Sequence, residues 1–465
     1  MLPILKSELQ KIGKPIFVEY VLILIQHLLR DSISLIEAFV DAGAEPSDMF
    51  IIGIPYSSKT NVVKELKKTF KVFTPSFPID EEVIDVVEQA VNVCKEKGKK
   101  LLIIEDGGYV VPLIHGWIIE TRKDGGYIKV PIPKKLREPF KYCMGAVEQT
   151  AQGVWRDKEA THLFSCDAPR LEKSLNEGVV SKDLRTVFGK EGFAFPENAS
   201  IKKGDDKWEI TTDEKLYMIK KENEKLHISK SEIPILTIAS SELKRVLEAP
   251  EVGTAVVKNL QELLSQRGEF IRGRNVSLIG YGTIGSEIAK ALRDNGAVVV
   301  GVADINPINL IAARFDGFCT DSSMNLVVKS NIIIGATGQC SIGEEAILKI
   351  SESGNNVVLV NASSKRVEID VDALEDLKET KMATEIGIEY QMPEGNKILL
   401  LADGYPVNFY GGSESIPDGI MDIILTELFL CAKKLVNEKF SPGIYENEVI
   451  DEEALAKLFH SLYFS

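Results

Sequence analysis

The sequence predicts an α/β protein with two doubly wound domains and a small inserted α+β module. Three observations predict it. Short apolar runs alternate with amphipathic helical segments through both halves of the 465 residues, the rhythm of parallel sheets covered by helices. One apolar run opens into a glycine-rich turn at Gly280, the signature of a nucleotide-binding strand–turn–helix unit. The stretch between the halves, residues 154–233, loses the rhythm and turns polar.

The first domain is expected over residues 1–153. Phe17 to Ile25 reads as a strand, Ser32 to Ala42 as a helix and Met49 to Ile54 as a strand. Asn61 to Thr69 follows as a helix and Lys71 to Thr74 as a strand. Glu82 to Lys97 is an amphipathic helix, and the run Lys100 to Ile104 ends in Glu105-Asp106-Gly107-Gly108. Open sheets of this kind bind ligands at the carboxyl ends of their strands, where Asp106 falls. Within 154–233, Leu171 to Phe188 reads as one helix. Trp208–Ile210, Leu216–Lys220 and Lys225–Ile228 read as short strands joined by polar turns, a satellite module outside any cleft. His162 and Cys166, four apart, are at most half of a metal site and read as an ordinary polar helix.

The third segment, 234–410, carries the strongest signal. Val276 to Ile279 is the first apolar run, and Gly280, Gly282 and Gly285 make G-x-G-x-x-G. A helix with Ile284, Ile288 and Leu292 on one face follows, then the run Val298 to Val302 and Asp304. The first glycine permits the turn, the second lets backbone approach a pyrophosphate, and the third lets helix pack on strand. Free N–H groups at the helix start, from Thr283 and Ile284 on, attract phosphates. The Asp304 carboxylate accepts hydrogen bonds from a ribose diol and repels a 2′-phosphate, so NAD is expected over NADP. Thr337-Gly338 and Ala362-Ser363-Ser364 follow further strands, Asn331–Ala336 and Asn356–Asn361, and belong near the nicotinamide ribose. Glu248 to Arg267 is a linking helix, and Leu399–Ala402 and Pro406–Asn408 read as strands. In the last segment, 411–465, the helix Asp418 to Val436 returns the chain to the first domain.

Composition narrows the function classes. A net charge of -14 argues against nucleic acid and against an anionic membrane surface. Six cysteines without C-x-x-C spacing and five scattered histidines predict no metal site. The apolar run Ile16 to Leu29 is broken by Glu19 and Gln26 and is too short to span a bilayer, and there is no signal peptide. A reducing cytoplasm is the expected compartment.

Several stretches then carry a resemblance. Gly280–Ala313 with Asp304-Ile-Asn-Pro-Ile-Asn309, Val367-Glu-Ile-Asp370 and Leu400-Leu-Ala-Asp-Gly-Tyr-Pro-Val-Asn408 resemble the S-adenosylhomocysteine hydrolase family. So do His27, Leu35-Ile-Glu37, Gly43-Ala-Glu45, Glu105–Gly108, Leu113-Ile-His115 and Gly145-Ala-Val-Glu-Gln-Thr150 in the first half. The resemblance implies tightly held NAD that oxidises a 3′-hydroxyl, elimination across the acidified 4′ position, addition of water, and return of the hydride. It implies a small-molecule, nucleoside-like substrate and a homo-oligomer. Lys244 then matches the lysine beside the oxidised hydroxyl, with a lowered pKa needed for it to accept a proton. Glu248 matches the family aspartate beside it, and His27 and Asp106 the groups that move protons at the 4′ and 5′ positions. Thr150, Asn309, Asn361 and Asn408 match cofactor contacts, and Asp31, Glu148, Gln149 and Ser364 fall at substrate contacts.

The departures fall mostly on the substrate side. Family asparagines become Ala239 and Ala249, and histidines become Ser364 and Ser415. A glutamate becomes Gln149, two threonines become Ala151 and Gln152, and in the adenine-contacting run a threonine becomes Leu29 and a glutamate Asp31. The chain stops at Ser465 without the family's basic, tyrosine-bearing tail, so NAD is expected to exchange more readily. Three readings stay open: a diverged NAD-dependent enzyme with altered recognition, a true adenosylhomocysteinase, and a non-catalytic NAD-binding regulatory protein.

Overall fold

A computed structural model describes residues 2–464 apart from 123–125, 134–135, 137–138, 168, 192, 194–198, 205–206, 212–215, 223–224, 413–415 and 447–448. Among the described residues, the first sheet has seven parallel strands. Their order is Gly443–Tyr445, Pro234–Thr237, Cys143–Glu148, Lys100–Glu105, Tyr20–Gln26, Met49–Gly53 and Lys71–Phe73. Helices cover both faces, which is why the central strands are apolar throughout. Tyr20–Gln26 is buried along its whole length. Period-two geometry sends Val21, Ile23 and Ile25 into one core and Leu22 and Leu24 into the other. The apolar run Ile16–Leu29 therefore contains a central buried strand of the sheet, and no described helix is long and apolar enough to cross a membrane.

The helix Asp418–Asn437 does return to this domain, where Phe429 packs edge-on against Phe17 at 5.9 Å. Its Asp422 carboxylate accepts from Ile4 N (2.7 Å) and Leu5 N (3.0 Å), serving a helix, Pro3–Gln10, that has no side-chain cap of its own. The Tyr463 hydroxyl donates to the same carboxylate at 2.9 Å, so both ends of the chain are fastened to one helix.

The second sheet runs Val298–Ala303, Asn275–Ile279, Ile332–Gly335, Val357–Asn361, Lys397–Leu401, Gly387–Gln391 and Thr380–Thr384. Its first five strands are parallel and the last two form an antiparallel hairpin edge, with separate apolar cores on the two faces. Chain order reverses between Asn275–Ile279 and Ile332–Gly335, the switch point at which doubly wound sheets open a crevice.

The insert is an antiparallel sheet with its own core. The order is His162–Asp167, Lys225–Ser229, Leu216–Glu222, Lys207–Thr211 and Ser200–Lys203, with Phe164, Leu175, Leu184, Phe188 and Ile228 inside.

Five sequence readings need correction. Residues 151–161 form a helix whose buried Val154 and Ala160 pack with the first domain, so the insert starts at His162. The strand Pro234–Thr237 pairs with Cys143–Glu148 and belongs to the first sheet, which also gains the unforeseen strand Gly443–Tyr445. The expected single helix 171–188 is two, Pro169–Asn176 and Lys182–Lys190, separated at Gly178, whose φ of +69° ends the first. Pro406–Asn408 is a tight 3₁₀ turn, Val407–Phe409, instead of a strand. His162 and Cys166 lie on a strand, not a helix. Most of the polar turn tips of the insert, and Ser415, lie outside the described residues.

Candidate active site

The carboxyl ends of both sheets face each other across one cleft of about 460 Å³. The first domain contributes His27, Asp31, Tyr56, Asp106, Gln149 and Thr150, each just past a strand or at a helix start. The second contributes Gly282, Thr283, Thr337, Gly338, Ser364 and Asn408, and the linking segment contributes Lys244 and Glu248. A larger cavity of about 760 Å³ lies between the insert and the first domain, but it holds none of these groups, so the smaller cleft is the site.

His27 leaves the central strand with its imidazole on three neighbours. Nδ1 lies 2.5 Å from Ser57 Oγ, Nε2 lies 3.6 Å from Asp106 Oδ2, and the ring stacks on Phe409 with centroids 4.1 Å apart. Burial lowers its pKa, with Lys244 adding to the fall and Asp106 opposing it, so the ring stays neutral near pH 7. A neutral imidazole is the form that accepts a proton.

Lys244 sits on a single π turn, Lys244–Glu248, that opens the linking helix. Its ammonium donates to Gln149 O at 2.9 Å and lies 3.2 Å from Glu248 Oε2. The expected lowered pKa is not what the structure gives. Burial pulls the value down, but Glu248, Asp106 and Glu427 together outweigh it and raise the pKa, so Lys244 is charged. Glu427 itself is pushed up to about 8, by burial first and then by Glu452 and Glu248.

Glu148 does not line the cleft. Its carboxylate accepts from Gly107 N (3.1 Å), Gly108 N (3.0 Å), Thr150 N (2.7 Å) and Thr150 Oγ1 (2.8 Å), holding together the two loops that carry Asp106 and Gln149. A Cβ on Gly153 would fall 2.1 Å from that carboxylate carbon, so only glycine fits there. Glu105 beneath it accepts from Tyr109 N, Val110 N and Val111 N. Asp157 completes a buried trio of carboxylates, and its pKa is raised by burial, Glu105 and Glu148.

The dinucleotide turn has the geometry its sequence requires. Gly280 takes φ +100°, and a Cβ there would meet Ala336 O at 2.5 Å; a Cβ on Gly285 would meet Gly280 O at 2.1 Å. Gly282 faces open space, and the helix it precedes, Thr283–Asp294, has no side-chain cap, leaving its N–H groups for a phosphate. Asp304 accepts from Tyr281 N (2.6 Å), Asn306 N (2.7 Å) and Asn309 Nδ2 (3.1 Å). A carboxylate has about four acceptor positions, so one remains for a ribose hydroxyl. Asn309 thus positions Asp304, and Asn361 positions its own loop: its amide bonds Gly404 O (2.8 Å) and Ser363 N (2.9 Å). Gln149 Oε1, Asn408 Oδ1 and both polar atoms of Gln152 line the cleft, buried and without partners, which fits a polar ligand lying there.

Several groups to which the sequence assigns no role take one here. Ser57 and Phe409 fix the His27 ring, and buried Glu368 holds the Thr337–Gly338 turn; Tyr56 lines the cleft with Tyr405 stacked on it at 5.3 Å.

Fold, switch-point crevice and phosphate-ready turn define a two-domain dinucleotide-binding protein. Residues 260–414 match the family described as S-adenosyl-L-homocysteine hydrolase, NAD binding domain. An S-inosyl-L-homocysteine hydrolase of Methanothermobacter thermautotrophicus is 36% identical over 178 residues, 38% of this chain and 42% of that protein. The protein of the same name from Methanopyrus kandleri is 32% identical over 219 residues, 46% of this chain and 50% of that one. An adenosylhomocysteinase of Aeropyrum pernix is 29% identical over 192 residues, 41% of this chain and 45% of its own. The chain thus spans about half the length, or less, of each of these relatives. Over residues 260–414 the chain is similar to the NAD-binding domain of S-adenosyl-L-homocysteine hydrolases, and its relatives carry the names of that family.

Proposed function

We propose that this chain is an NAD-dependent, adenosylhomocysteinase-like enzyme that transiently oxidises a sugar hydroxyl of a nucleoside-like substrate, with altered recognition of the rest of that substrate. The observation that carries this reading is the convergence of His27, Asp106, Lys244 and Glu248 on the cleft that also contains the dinucleotide turn. Non-catalytic binding gives no reason to hold a charged lysine, a neutral imidazole and two further carboxylates around one space.

When bound, NAD supplies a hydride acceptor for the hydroxyl-bearing carbon and returns the hydride at the end. Gly282 and the uncapped helix start would hold its phosphates, and Asp304 would accept from a ribose hydroxyl. Lys244 donates a hydrogen bond to the hydroxyl oxygen as that oxygen becomes a carbonyl. Because Lys244 is already charged, it takes the hydroxyl proton only as Glu248, 3.2 Å away, accepts one from it; the pair works as a relay. The carbonyl acidifies the neighbouring C–H. Neutral His27, turned by Ser57 and Phe409, removes that proton, and Asp106 serves the leaving group and the incoming water.

Altered recognition rests on what faces the substrate side. Leu29 and Ser364 line the cleft where the resemblance implies a threonine and a histidine, and a ligand built to bond those groups loses its partners. Two relatives are named for an inosyl substrate, so a test panel has to include both bases. Adenosine, inosine and their homocysteine thioethers are mixed with NAD-loaded protein and followed by NADH absorbance. Lys244→Ala is expected to abolish the absorbance rise by at least ~10²-fold. His27→Ala is expected to allow reduction and then stall, leaving NADH in place. Silence of the wild type across the panel with NAD bound refutes the catalytic reading; rapid homocysteine release from S-adenosylhomocysteine refutes the altered recognition.

A further inference from the structure

Behind Asp106 two cations meet on one aromatic ring. A Cβ added to Gly107 would meet the Tyr109 ring at 2.9 Å, so the ring lies against the loop beside Asp106. The Lys365 ammonium stands 4.0 Å from the ring centroid and the Arg156 guanidinium carbon 5.1 Å from it. Arg156 comes from the helix Ala151–Thr161 of the first domain and Lys365 from the loop after the strand Val357–Asn361 of the second, so the pair spans the two domains.

Among the described residues, Asp80, Glu148 and Asp106 act on Lys365 only from beyond ion-pair distance. Arg156 Nε donates to Gly108 O at 2.8 Å, and among the described residues neither Arg156 nor Lys365 has a carboxylate within ion-pair distance. The buried carboxylates nearby do other work. Glu105 and Glu148 are engaged by backbone N–H groups, and the raised pKa of Asp157 favours its neutral form. Burial and the Arg156 charge hold the Lys365 amine well below the ordinary lysine range.

Lys365 is also placed there at a backbone cost. It takes φ +51°, in the left-handed region that a lysine rarely enters. The Asn361 amide grips its carbonyl, and the hydroxyl of Tyr56, a cleft residue, meets the Lys365 backbone and the Ser364 side chain. A strained residue fixed from two sides, carrying a half-buried amine with no ion pair among the described residues and adjoining Ser364 of the cleft, is the arrangement expected of a ligand contact.

We propose that Arg156 and Lys365 form an anion subsite that spans the two domains, and that the ligand of this cleft carries a carboxylate or phosphoryl group there. Placing that group at the 5′ side of the ligand rests on the nucleoside reading above; the subsite itself does not. An anion between the two cations removes their mutual repulsion and so favours the closed cleft.

The test uses the full chain with NAD present, at constant ionic strength. Inorganic phosphate and acetate are titrated first, then adenosine against adenosine 5′-phosphate and adenosine 5′-carboxylate, with binding read by calorimetry. The expected result is that one anion class binds at least ~10-fold tighter than chloride can mimic, and that the matching nucleoside exceeds adenosine by ~10-fold or more. Lys365→Ala and Arg156→Lys, each shown to retain NAD binding, reduce that ratio toward one, and Lys365→Arg keeps most of it. Phosphate preference over acetate identifies a phosphoryl ligand, and the reverse a carboxylate. Phosphate or acetate binding that depends on Lys365, with no nucleoside bound, keeps the subsite and sinks the nucleoside reading. Anion binding that is absent, or unchanged in both Lys365→Ala and Arg156→Lys, overturns the proposal.

Discussion

Glu368 offers the sharpest test of how the cofactor side of the cleft is built. It is fully buried and receives four hydrogen bonds: Thr337 N and Gly338 N reach Oε1, each at 2.6 Å, while Thr337 Oγ1 (2.9 Å) and Ser341 Oγ (2.5 Å) reach Oε2. In Glu368→Gln the amide oxygen can keep both backbone donors, and the new amine can donate to two hydroxyl oxygens that rotate to accept. What is lost is the charge assistance, roughly 1–2 kcal/mol in all. In Glu368→Ala both backbone N–H groups lose their acceptor in a dry site, at about 1–3 kcal/mol each, or ~2–6 kcal/mol together. Hydrogen–deuterium exchange over residues 337–341 reads the difference, since each 1.4 kcal/mol is about tenfold. The alanine variant should exchange at least ~10-fold faster there than the glutamine variant and bind NAD more weakly. Equal exchange in the two variants, or a glutamine variant worse than alanine, refutes the account of Glu368 as an acceptor for the turn.

Other outcomes follow from single groups. Wild-type protein should bind NAD at least ~10-fold more tightly than NADP, because Asp304 repels a 2′-phosphate; equal dissociation constants sink that assignment. Glu427, with a folded pKa raised to about 8, contributes stability that is full below the unfolded value near 4.5 and is lost as pH rises through 8. Glu427→Gln should therefore flatten the fall in melting temperature between about pH 5 and 8 relative to wild type, and parallel curves would contradict the raised value. Replacing residues 162–229 by a short Gly/Ser linker should leave NAD binding intact, because Lys230 N already bonds Thr161 O at 2.9 Å and the module has its own core. Loss of NAD binding by that variant in a folded state would show that the module helps build the cleft.

How much of the fold was legible depends on where the information sits. Both doubly wound domains could be read because a parallel strand covered on two faces must be apolar along its length, as Tyr20–Gln26 and Val357–Asn361 are. The module's strands announced themselves by alternation, as in Lys207–Thr211, where Trp208 and Ile210 point inward. Gly443–Tyr445 escaped notice because three residues at a sheet edge carry no period to detect. Pro234–Thr237 was assigned to the wrong domain for a related reason: a strand's pattern says that it is buried, never which sheet buries it. Val407–Phe409 reads as apolar and extended, yet its backbone turns so that Val407 O and Asn408 O can accept from Asn259, a partner far off in the chain.

The same distinction governs the site. Residue type and place in a motif point to the groups that gather at the cleft, so His27, Asp106, Lys244 and Glu248 could be named from the sequence and are found together. Their charge states could not, because those depend on neighbours the sequence does not place. A buried lysine is easily assigned a lowered pKa; here Glu248, Asp106 and Glu427, drawn from three separate elements, reverse the sign. Glu148 shows the complementary limit. It ends a strand, as ligand contacts often do, but three backbone N–H groups and the Thr150 hydroxyl claim its carboxylate, and it holds together the loops that carry Asp106 and Gln149. A buried acid that faces only donors from its own chain is part of the frame; a buried acceptor such as Asn408 Oδ1, lining the cleft with nothing to accept from, is where a ligand belongs.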